Sequence, residues 1–458
     1  MKILFHLLAA MVVLAAATTV NAQDSHYWTN QYGNQARLLG GQVVGTAEDV
    51  SAVFYNPGRL ALVAKPELLL AGTAYTYSNI NLENAAGEGY SLSSSRLENA
   101  PSLLAGEIPV GQSLDNRLAY SFLTRSSFEM QVEEWFPVTT VEDIDTFDAN
   151  LDLNYKMTDY WAGLTWSRRL GDHFGLGISG FVSVRDQRSL LQAVAQLEDG
   201  DNAGLALQRE EFEYKQVGVL AKIGLGADFG NWQGGLTVTT PTAGIHGSGS
   251  IGYIESYVTS SDGAGGPGES RIVNSFQEDR EAGFNTPWSS ALGLGYSWKS
   301  TKIHVTSEYF AAVSRYAIME ADPIEVPDLD EVRDQSVYDH REAVLNYGIG
   351  VEHGFNERLK GYLSYRTDYS AGTDSPDQQA SISIWDLRHV AAGITFPVSR
   401  STFTVGAIYA YGKEDFDRNI GLLPPNEEDL DELSSKVVAK YSRLTFVLGF
   451  SIGLGATQ

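Results

Sequence analysis

The sequence predicts an all-β protein: a transmembrane antiparallel β-barrel of about fourteen strands, with a small N-terminal helical hatch inside the lumen. Three observations predict this fold. Apolar residues alternate with small or polar residues over roughly ten positions at a time, tight connections alternate with long ones, and the chain begins like an exported protein. We expect a signal peptide at 1–22, the hatch at 23–65 and the barrel at 66–458.

Export is predicted by the first residues. An apolar run from Ile3 to about Val20 follows Lys2, and Ala22 supplies a small-residue cleavage site. A membrane anchor is the weaker interpretation, because the run is barely long enough for a spanning helix and lacks a stop-transfer flank. The sequence contains no cysteine, which excludes a lipid-anchored lipoprotein and a disulfide-stabilised scaffold.

The hatch is predicted from a turn just before the first long strand. Asn56-Pro57 favours a turn, because proline disfavours the helical conformation of the residue before it, and Gly58 can adopt a positive φ. Upstream, Thr46 is followed three residues later by Asp49, as in a capping box. We therefore expect a helical turn or two that starts near residue 47 and ends at Pro57.

The alternation distinguishes a barrel from a soluble β-sandwich. Leu176, Ile178 and Val182 lie on one face of a strand, and Gly177 and Ser179 lie on the other. Further runs of this kind occur at 217–228, 402–411 and 444–454. A period of two over about ten residues suits a tilted strand that crosses a bilayer, whereas sandwich strands average about five or six residues.

We place the apolar face of each strand in lipid and the other face in the lumen. Arginine at Ile178 or Leu225 should then be costly, because it would put a charge near the middle of the bilayer. Modest polar residues should be tolerated at the inward positions Ser179 and Gly224.

The connections indicate which rim of the barrel faces out, since bacterial barrels have short periplasmic turns and long extracellular loops. The tight turns lie at 109–115, 170–173, 230–231, 299–300, 355–358 and 397–400. The long connections lie at 78–100, 128–150, 195–207, 259–285, 314–340, 370–383 and 412–436. The strands between them number fourteen if 232–257 is one strand kinked at Pro241, and fifteen if it is two.

Candidate ligand-binding residues are apolar side chains on the lumen face. Phe181 and Leu220 have this parity, and Phe54 and Tyr55 adjoin the hatch turn. Small and polar residues share the lumen face, so the pattern favours an apolar passage over a water-filled pore only modestly. Tryptophans near predicted strand ends are interpreted as interfacial girdles; they are Trp161, Trp232, Trp288, Trp298 and Trp385.

Charge and residue spacing exclude several function classes. The formal net charge of −25 argues against nucleic-acid partners, which require a basic face. The histidines are scattered without metal-ligand spacing, and no nucleophile constellation is visible, so we expect no catalytic residues, no cofactor and no metal site. Acidic clusters in the long connections have two interpretations, Ca²⁺ binding at the outer face or simple solvation, and solvation is favoured.

The chain resembles the FadL-type outer-membrane transporters of hydrophobic compounds. The resemblance is carried by the signal peptide, the segment Leu38-Leu39-Gly40-Gly41, the Asn56-Pro57 turn and the strand count, with hairpins such as 170–177 and the segment 286–288 in the family's style. The resemblance implies an N-terminal hatch with an Asn-Pro-Ala gate signature. Asn56 and Pro57 match it, while Gly58 replaces the usual alanine; the last aromatic residue, Phe450, also lies further from the C-terminus than in many barrels.

The resemblance implies passive uptake of hydrophobic molecules, such as long-chain fatty acids, through a hatch-gated barrel in the outer membrane of a Gram-negative cell. No energy-coupling box is visible near the N-terminus. We expect a porin-like monomer surrounded by outer-membrane lipid. The alternative is a barrel of the same fold that docks exported proteins as a secretion-system adaptor. Whether a ligand leaves laterally or through the lumen stays open.

Overall fold

The computed structural model describes residues 25–63, 67–87, 90–98, 101–109, 115–138, 146–199, 202–260, 268–326, 331–372, 383, 385–399, 401–416 and 437–453. These residues form a closed antiparallel barrel, as predicted. Its chain runs from one rim of the barrel to the other fourteen times, and each such run is called a crossing. The last strand pairs with the first, from Glu67 opposite Gly453 to Glu83 opposite Val438. The predicted signal peptide lies outside the described residues.

Seventeen strands build the wall. They are β1 (Glu67–Gly87), β2 (Tyr90–Glu98), β3 (Pro101–Ile108), β4 (Asn116–Val138), β5 (Thr146–Leu170), β6 (Phe174–Asp199), β7 (Asn202–Phe229), β8 (Trp232–Thr239), β9 (Ala243–Thr259), β10 (Ser270–Glu281), β11 (Ser289–Trp298), β12 (Thr301–Phe310), β17 (Val344–Asn356), β18 (Leu359–Asp368), β19 (Leu387–Val398), β20 (Ser401–Phe416) and β21 (Val437–Gly453). Four short strands between β12 and β17 form two small separate sheets; they are β13 (Val313–Met319), β14 (Ile324–Val326), β15 (Glu331–Arg333) and β16 (Val337–Arg341).

Three crossings consist of two strands each, which reconciles seventeen strands with fourteen crossings. Strands β2 and β3 pair with successive parts of β1, and β8 and β9 pair with successive parts of β7. Strands β10 and β11 form the next crossing, because they pair with β9 and β8 respectively. The stretch 232–257 is therefore one kinked crossing, and Pro241 lies in its unpaired break, where its missing N–H interrupts no ladder.

The outward face of the wall carries an apolar belt. Ile178 and Leu225 are each more than two-fifths exposed, and they alternate with inward residues that are buried. Tight turns join the strands at one rim, where they were predicted at 170–173, 230–231 and 299–300. We name this rim the turn rim and the opposite side the loop end. Among the described helices, none has the length and apolarity that crossing a membrane requires.

Strands β4–β7 are far longer than a crossing requires. They contain 23, 25, 26 and 28 residues, whereas about 9–11 residues suffice to span a bilayer. The connections predicted at 78–100, 128–150 and 195–207 are thus largely strand, since β1, β2 and β4–β7 continue through them. Their polar residues suggested loops, but those residues alternate with apolar ones and belong to a sheet.

Partway along these strands, the apolar residues change from the outward face of the sheet to the inward face. In β5, the outward residues are apolar at Leu164 and Trp166 but polar at Asp152 and Asn154, while Leu153 faces inward. The change occurs around Thr158, Asp186 and Lys215, which are consecutive partners across β5, β6 and β7. We name this the inversion level. Below it the outer surface of these strands suits lipid; above it most of their outward residues are polar and their inward residues become more apolar.

Many of the inward apolar residues above the inversion level pack into one cluster, the outer cluster. Its members are Ile80, Leu82, Ala85, Leu92, Met130, Val132, Ala149, Leu151, Leu153, Tyr155, Met157, Leu191, Ala193, Ala195, Ala206, Trp385, Leu387, Ala410, Val437, Ala439 and Tyr441. They come from strands on opposite sides of the lumen, so the extended part of the wall closes on an apolar interior.

Residues 25–63, the N-terminal segment, are almost entirely buried and contain three short helices. These are α1 (Asn34–Leu38), α2 (Ala52–Tyr55) and α3 (Pro57–Leu60). Helix α1 contacts β18–β21, and α3 contacts β5–β8. Because it meets opposite parts of the wall, the segment lies within the barrel.

Replacing the outward Ile178 with arginine should destabilise the barrel by about 2–4 kcal/mol, because it places a charge in the apolar belt. The matched control is Gln192→Arg on the same strand and face, above the inversion level, which should be nearly neutral. Urea unfolding of protein refolded into lipid vesicles measures both. Equal losses would mean that the inversion level does not mark the edge of the bilayer.

Candidate functional site

Asn56 joins the N-terminal segment to the wall. Its Oδ1 accepts a hydrogen bond from the backbone N–H of Gly58 (2.9 Å) and so caps α3. Pro57 takes the first helical position, where its missing N–H leaves no bond unmade. The Asn56 Nδ2 donates to the carbonyl oxygens of Val44 (2.8 Å) and Leu225 (3.0 Å). One buried amide thus binds its own helix, its own segment and strand β7.

Gly58 is required by contact rather than by backbone conformation. It has ordinary helical geometry, so the predicted positive φ is not used. A Cβ on Gly58 would lie 2.5 Å from the carbonyl oxygens of Gly175 and Gly224. Alanine, which the family signature has at this position, does not fit here without movement of the wall or of α3.

The wall meets this part of the segment with inward-facing glycines. A Cβ on any of them would collide with residues 44–61 of the segment; they are Gly175, Gly177, Gly224, Gly226, Gly235 and Gly293. The expectation that Gly224 tolerates a polar side chain is therefore wrong, because that side chain would collide with Asn56 and Pro57. Ser179 is fully buried and donates a hydrogen bond to the Val53 carbonyl oxygen, so a larger side chain does not fit at this position either.

The capping box predicted at Thr46 does not form. The Thr46 hydroxyl hydrogen-bonds the His304 imidazole Nδ1 (2.7 Å), and the Asp49 carboxylate accepts from the backbone N–H of Ser51 (2.9 Å). Helical structure begins instead with α2, after a series of turns. The local sequence pattern predicts that the Thr46 hydroxyl caps a helix, but the His304 side chain of the wall binds that hydroxyl instead.

A cavity of about 90 Å³ lies between the N-terminal segment and the wall. Phe54, Tyr55 and Leu220, three of the four residues proposed from the sequence to contact ligand, line it. The fourth, Phe181, lies behind the lining and packs against Trp161, with the ring centroids 5.2 Å apart. The structure therefore places three of the four predicted residues on one cavity and the fourth behind its lining.

The apolar lining connects two parts of the interior. Phe54, Trp161 and Leu220 belong to a cluster that extends into the N-terminal segment, and Met157 belongs to the outer cluster. The Tyr55 hydroxyl accepts a hydrogen bond from the Tyr32 N–H (2.8 Å). Burial raises the pKa of Tyr55, so this hydroxyl keeps its proton and remains a neutral contact.

Charged side chains also line the cavity, and sequence reasoning missed them. The cations are Arg125, Arg185, Lys222 and Arg341, and the carboxylates are Asp159 and Glu308. Both carboxylates are engaged: Asp159 accepts from Ser183 (2.7 Å), and Glu308 accepts from Trp28 and Ser289 (2.7 Å each). Lys222 could have been found from its lumen parity, since it lies two positions from Leu220.

Two of the tryptophans assigned to interfacial girdles lie inside the barrel. Trp161 lines the cavity, and Trp385 is fully buried in the outer cluster, whereas Trp232, Trp288 and Trp298 are exposed on the outside. Trp161 shares the parity of buried Thr165, which is the signal that separates it from a girdle residue. In the described part of the chain, no group of three or more His, Cys, Asp or Glu side chains is placed to hold a metal ion.

A methyl group at Gly177 should displace the N-terminal segment, because its Cβ would collide with the Pro57 carbonyl. Gly180→Ala on the same strand is the matched control, since a Cβ there meets nothing within 4 Å. The chain has no cysteine, so a single Ala52→Cys reporter, buried in α2, can be labelled with maleimide. Labelling should rise in Gly177→Ala alone; equal labelling in both variants would show that the glycine contacts do not hold the segment.

No family model and no curated protein matches this sequence. Solved structures match it in fold. A Pseudomonas aeruginosa FadL homologue has a TM-score of 0.56 at 10% identity, covering 95% of this chain and 99% of that one. The P. putida toluene transporter TodX has a TM-score of 0.59 at 14% identity, covering 93% of this chain and 99% of that one. The Ralstonia pickettii toluene transporter TbuX has a TM-score of 0.52 at 11% identity, covering 93% of this chain and 98% of that one.

At these identities the likeness concerns the fold, and it extends over nearly the whole chain. The fourteen crossings and the segment inside the wall agree with it. In its fold, the protein is a FadL-type barrel.

Proposed function

We propose that this protein is an outer-membrane transporter that takes up hydrophobic molecules, long-chain fatty acids among them, passively through its barrel. The outward apolar belt below the inversion level suits insertion in a bilayer. The observation that carries the proposal is the apolar interior, which runs from the outer cluster through Met157 to the cavity beside Phe54. A water-filled pore would instead have polar residues along this line.

The interior also distinguishes the transporter from an adaptor that docks exported proteins. An adaptor needs only exposed loop surface and gains nothing from apolar residues inside the wall. Here the inward residues of β5 change from Thr165 and Ser167 below the inversion level to Leu151 and Leu153 above it. This change places apolar side chains where a hydrophobic solute would pass, which favours transport.

In this proposal the N-terminal segment is the gate. Ligand enters from the loop end, separates the side chains of the outer cluster and reaches the cavity. Below the cavity, Asn56 and α3 lie against the glycines of the wall and block the path to the turn rim. The hydrogen bond of Asn56 to the Leu225 carbonyl oxygen holds this closed arrangement against the wall, so a shift of the segment must break it.

Replacing Asn56 and Pro57 together with alanine should leave a folded, inserted barrel, because the strands close on themselves without the segment. Loss of the cap and of the bond to β7 should loosen the gate. Uptake of a labelled fatty acid should change, and leak of a small hydrophilic dye should rise, in cells that make matched amounts of protein.

Asn231→Ala, at an exposed tight turn on the turn rim, is the control and should behave as wild type. Heat-modifiable mobility on gels verifies that every variant is folded. Unaltered uptake and leak in the double variant would reduce Asn56-Pro57 to a structural turn and would count against gating by the segment.

A further inference from the structure

Strand β10 has one free edge. Among the described strands, β9 is the one that pairs with it, from Ser270 opposite Val258 to Glu281 opposite Ser248. The next crossing of the wall, β12, ends at Phe310, where the chain leaves the wall for β13–β16. Because β12 ends level with the start of β11, the wall gives β10 no neighbour on its second side.

The backbone groups of this free edge belong to alternate residues. The Thr259 N–H donates to the carbonyl oxygen of Glu269 (2.8 Å), directly opposite, so these two residues form a hydrogen-bonded pair. In an antiparallel ladder such pairs alternate with pairs that exchange no hydrogen bond. Ser270, Ile272, Asn274 and Phe276 therefore direct their N–H and C=O groups away from β9, toward the free edge.

This edge lies outside the apolar belt. Ser248 pairs with Lys215 of β7 and with Glu281 of β10, so the lower end of β10 stands at the inversion level and the rest of the strand lies above it. Free backbone groups in the bilayer would be left without hydrogen bonds. Above it, they are open to water and to another polypeptide chain.

The lower end of β10 carries features that prevent unwanted strand pairing. Its register with β9 shifts between Gln277 and Arg280, and the intervening Glu278 and Asp279 are charged and exposed. The Gln277 Nε2 also donates to the carbonyl oxygen of Asp322 (2.9 Å), so the chain between β13 and β14 lies against this end. These features end at Gln277, and the edge above it is unprotected within the described part of the chain.

The unprotected part is apolar on its outward face. Ile272 is 62% exposed and Phe276 is 61% exposed, and both have backbone groups on the free edge. Ile254 of β9 is a further exposed apolar residue beside them. The inward face is covered, because Val273 and Ile324 belong to one buried cluster. A strand added at this edge would gain main-chain hydrogen bonds and apolar contacts on the outward face.

The lower end of the edge is electronegative. Glu278, Asp279 and Glu281 are exposed, and none of them makes a hydrogen bond or ion pair with another described residue. The cation among them, Arg280, is already paired with Asp322. Charge complementarity therefore favours a partner with a positive charge at this end.

We propose that the free edge of β10 binds an extended segment of a partner protein by strand addition. The segment pairs antiparallel with the edge above Gln277 and places apolar side chains beside Ile272 and Phe276. It begins with a lysine or arginine, which lies beside Glu278. The inference is independent of the proposed function, because the edge lies outside the barrel interior.

The probe is a fluorescein-labelled peptide of two lysines followed by four valines that alternate with threonines. Binding to the purified full-length protein in lipid nanodiscs is measured by fluorescence anisotropy. In the proposed pairing, the valines lie opposite Ile272 and Phe276, so their N–H groups face β10. N-methylation of the valine amides should weaken binding at least 10-fold, whereas N-methylation of the threonine amides, which face away, should not.

Two variants test the edge itself. Asn274→Pro removes an N–H from the free edge and leaves the ladder with β9 intact, so binding should fall. Phe276→Ser leaves the backbone unchanged and should weaken binding by about 10-fold, because it removes an apolar contact. The matched control is Leu97→Ser on β2, which removes a side chain that is 66% exposed elsewhere on the wall and should bind as wild type. Heat-modifiable mobility identifies the folded variants.

Three results would overturn the proposal. Equal binding of the two N-methylated peptides, or unchanged binding in Phe276→Ser, would show that the peptide does not join the sheet. Absence of binding to wild type would show that the edge does not accept a strand of this chemistry. If light scattering in detergent finds wild type dimeric and Phe276→Ser monomeric, a second copy occupies the edge, and the proposed partner is wrong.

Discussion

The fixed alternation of side chains along a strand is the constraint on which this molecule depends. A regular strand without a bulge cannot change the face on which a residue appears, because successive side chains point to opposite sides of the sheet. The surroundings of the outer face nevertheless change from lipid to water where β4–β7 leave the apolar belt. On β5–β7 the chain resolves this by inverting its chemistry at Thr158, Asp186 and Lys215 while keeping its geometry. On β4 a bulge at Arg125 shifts which residues face inward. An apolar interior above that level follows from the same inversion.

The sequence predicted the barrel because alternation is a local property that a single strand displays. Ile178 and Leu225 are recognisable as outward residues without any knowledge of their partners. The extended hairpins were missed for the same reason: above the inversion level most outward residues are polar, and such stretches between strands resemble loops. Recognising them requires following the inward parity, on which Leu151, Leu153 and Tyr155 continue without interruption.

The site was only partly predictable, because it depends on where distant parts of the chain meet. Phe54, Tyr55 and Leu220 could be proposed from parity and from their position beside a turn. Trp161 and Lys222 lie on the same inward face, but which inward residues border a space is decided by the packing of the N-terminal segment. The Arg125 bulge is visible only in the pairing of β4 with β5. The inward glycines were noticed as small residues, yet their role depends on the backbone that covers them.

The pairing of β21 with β1 has a consequence for how the molecule is assembled. Its partners are separated by nearly the whole chain, from Glu67 to Gly453, so this contact closes the largest possible loop and carries the largest entropic cost. Until it forms, both strands are open edges with unpaired backbone groups that invite aggregation. The N-terminal segment is made first, but the glycines that receive α3 lie on strands made much later. The order of assembly therefore cannot follow the order of synthesis, and the chain must be kept apart from others until its last strand is available.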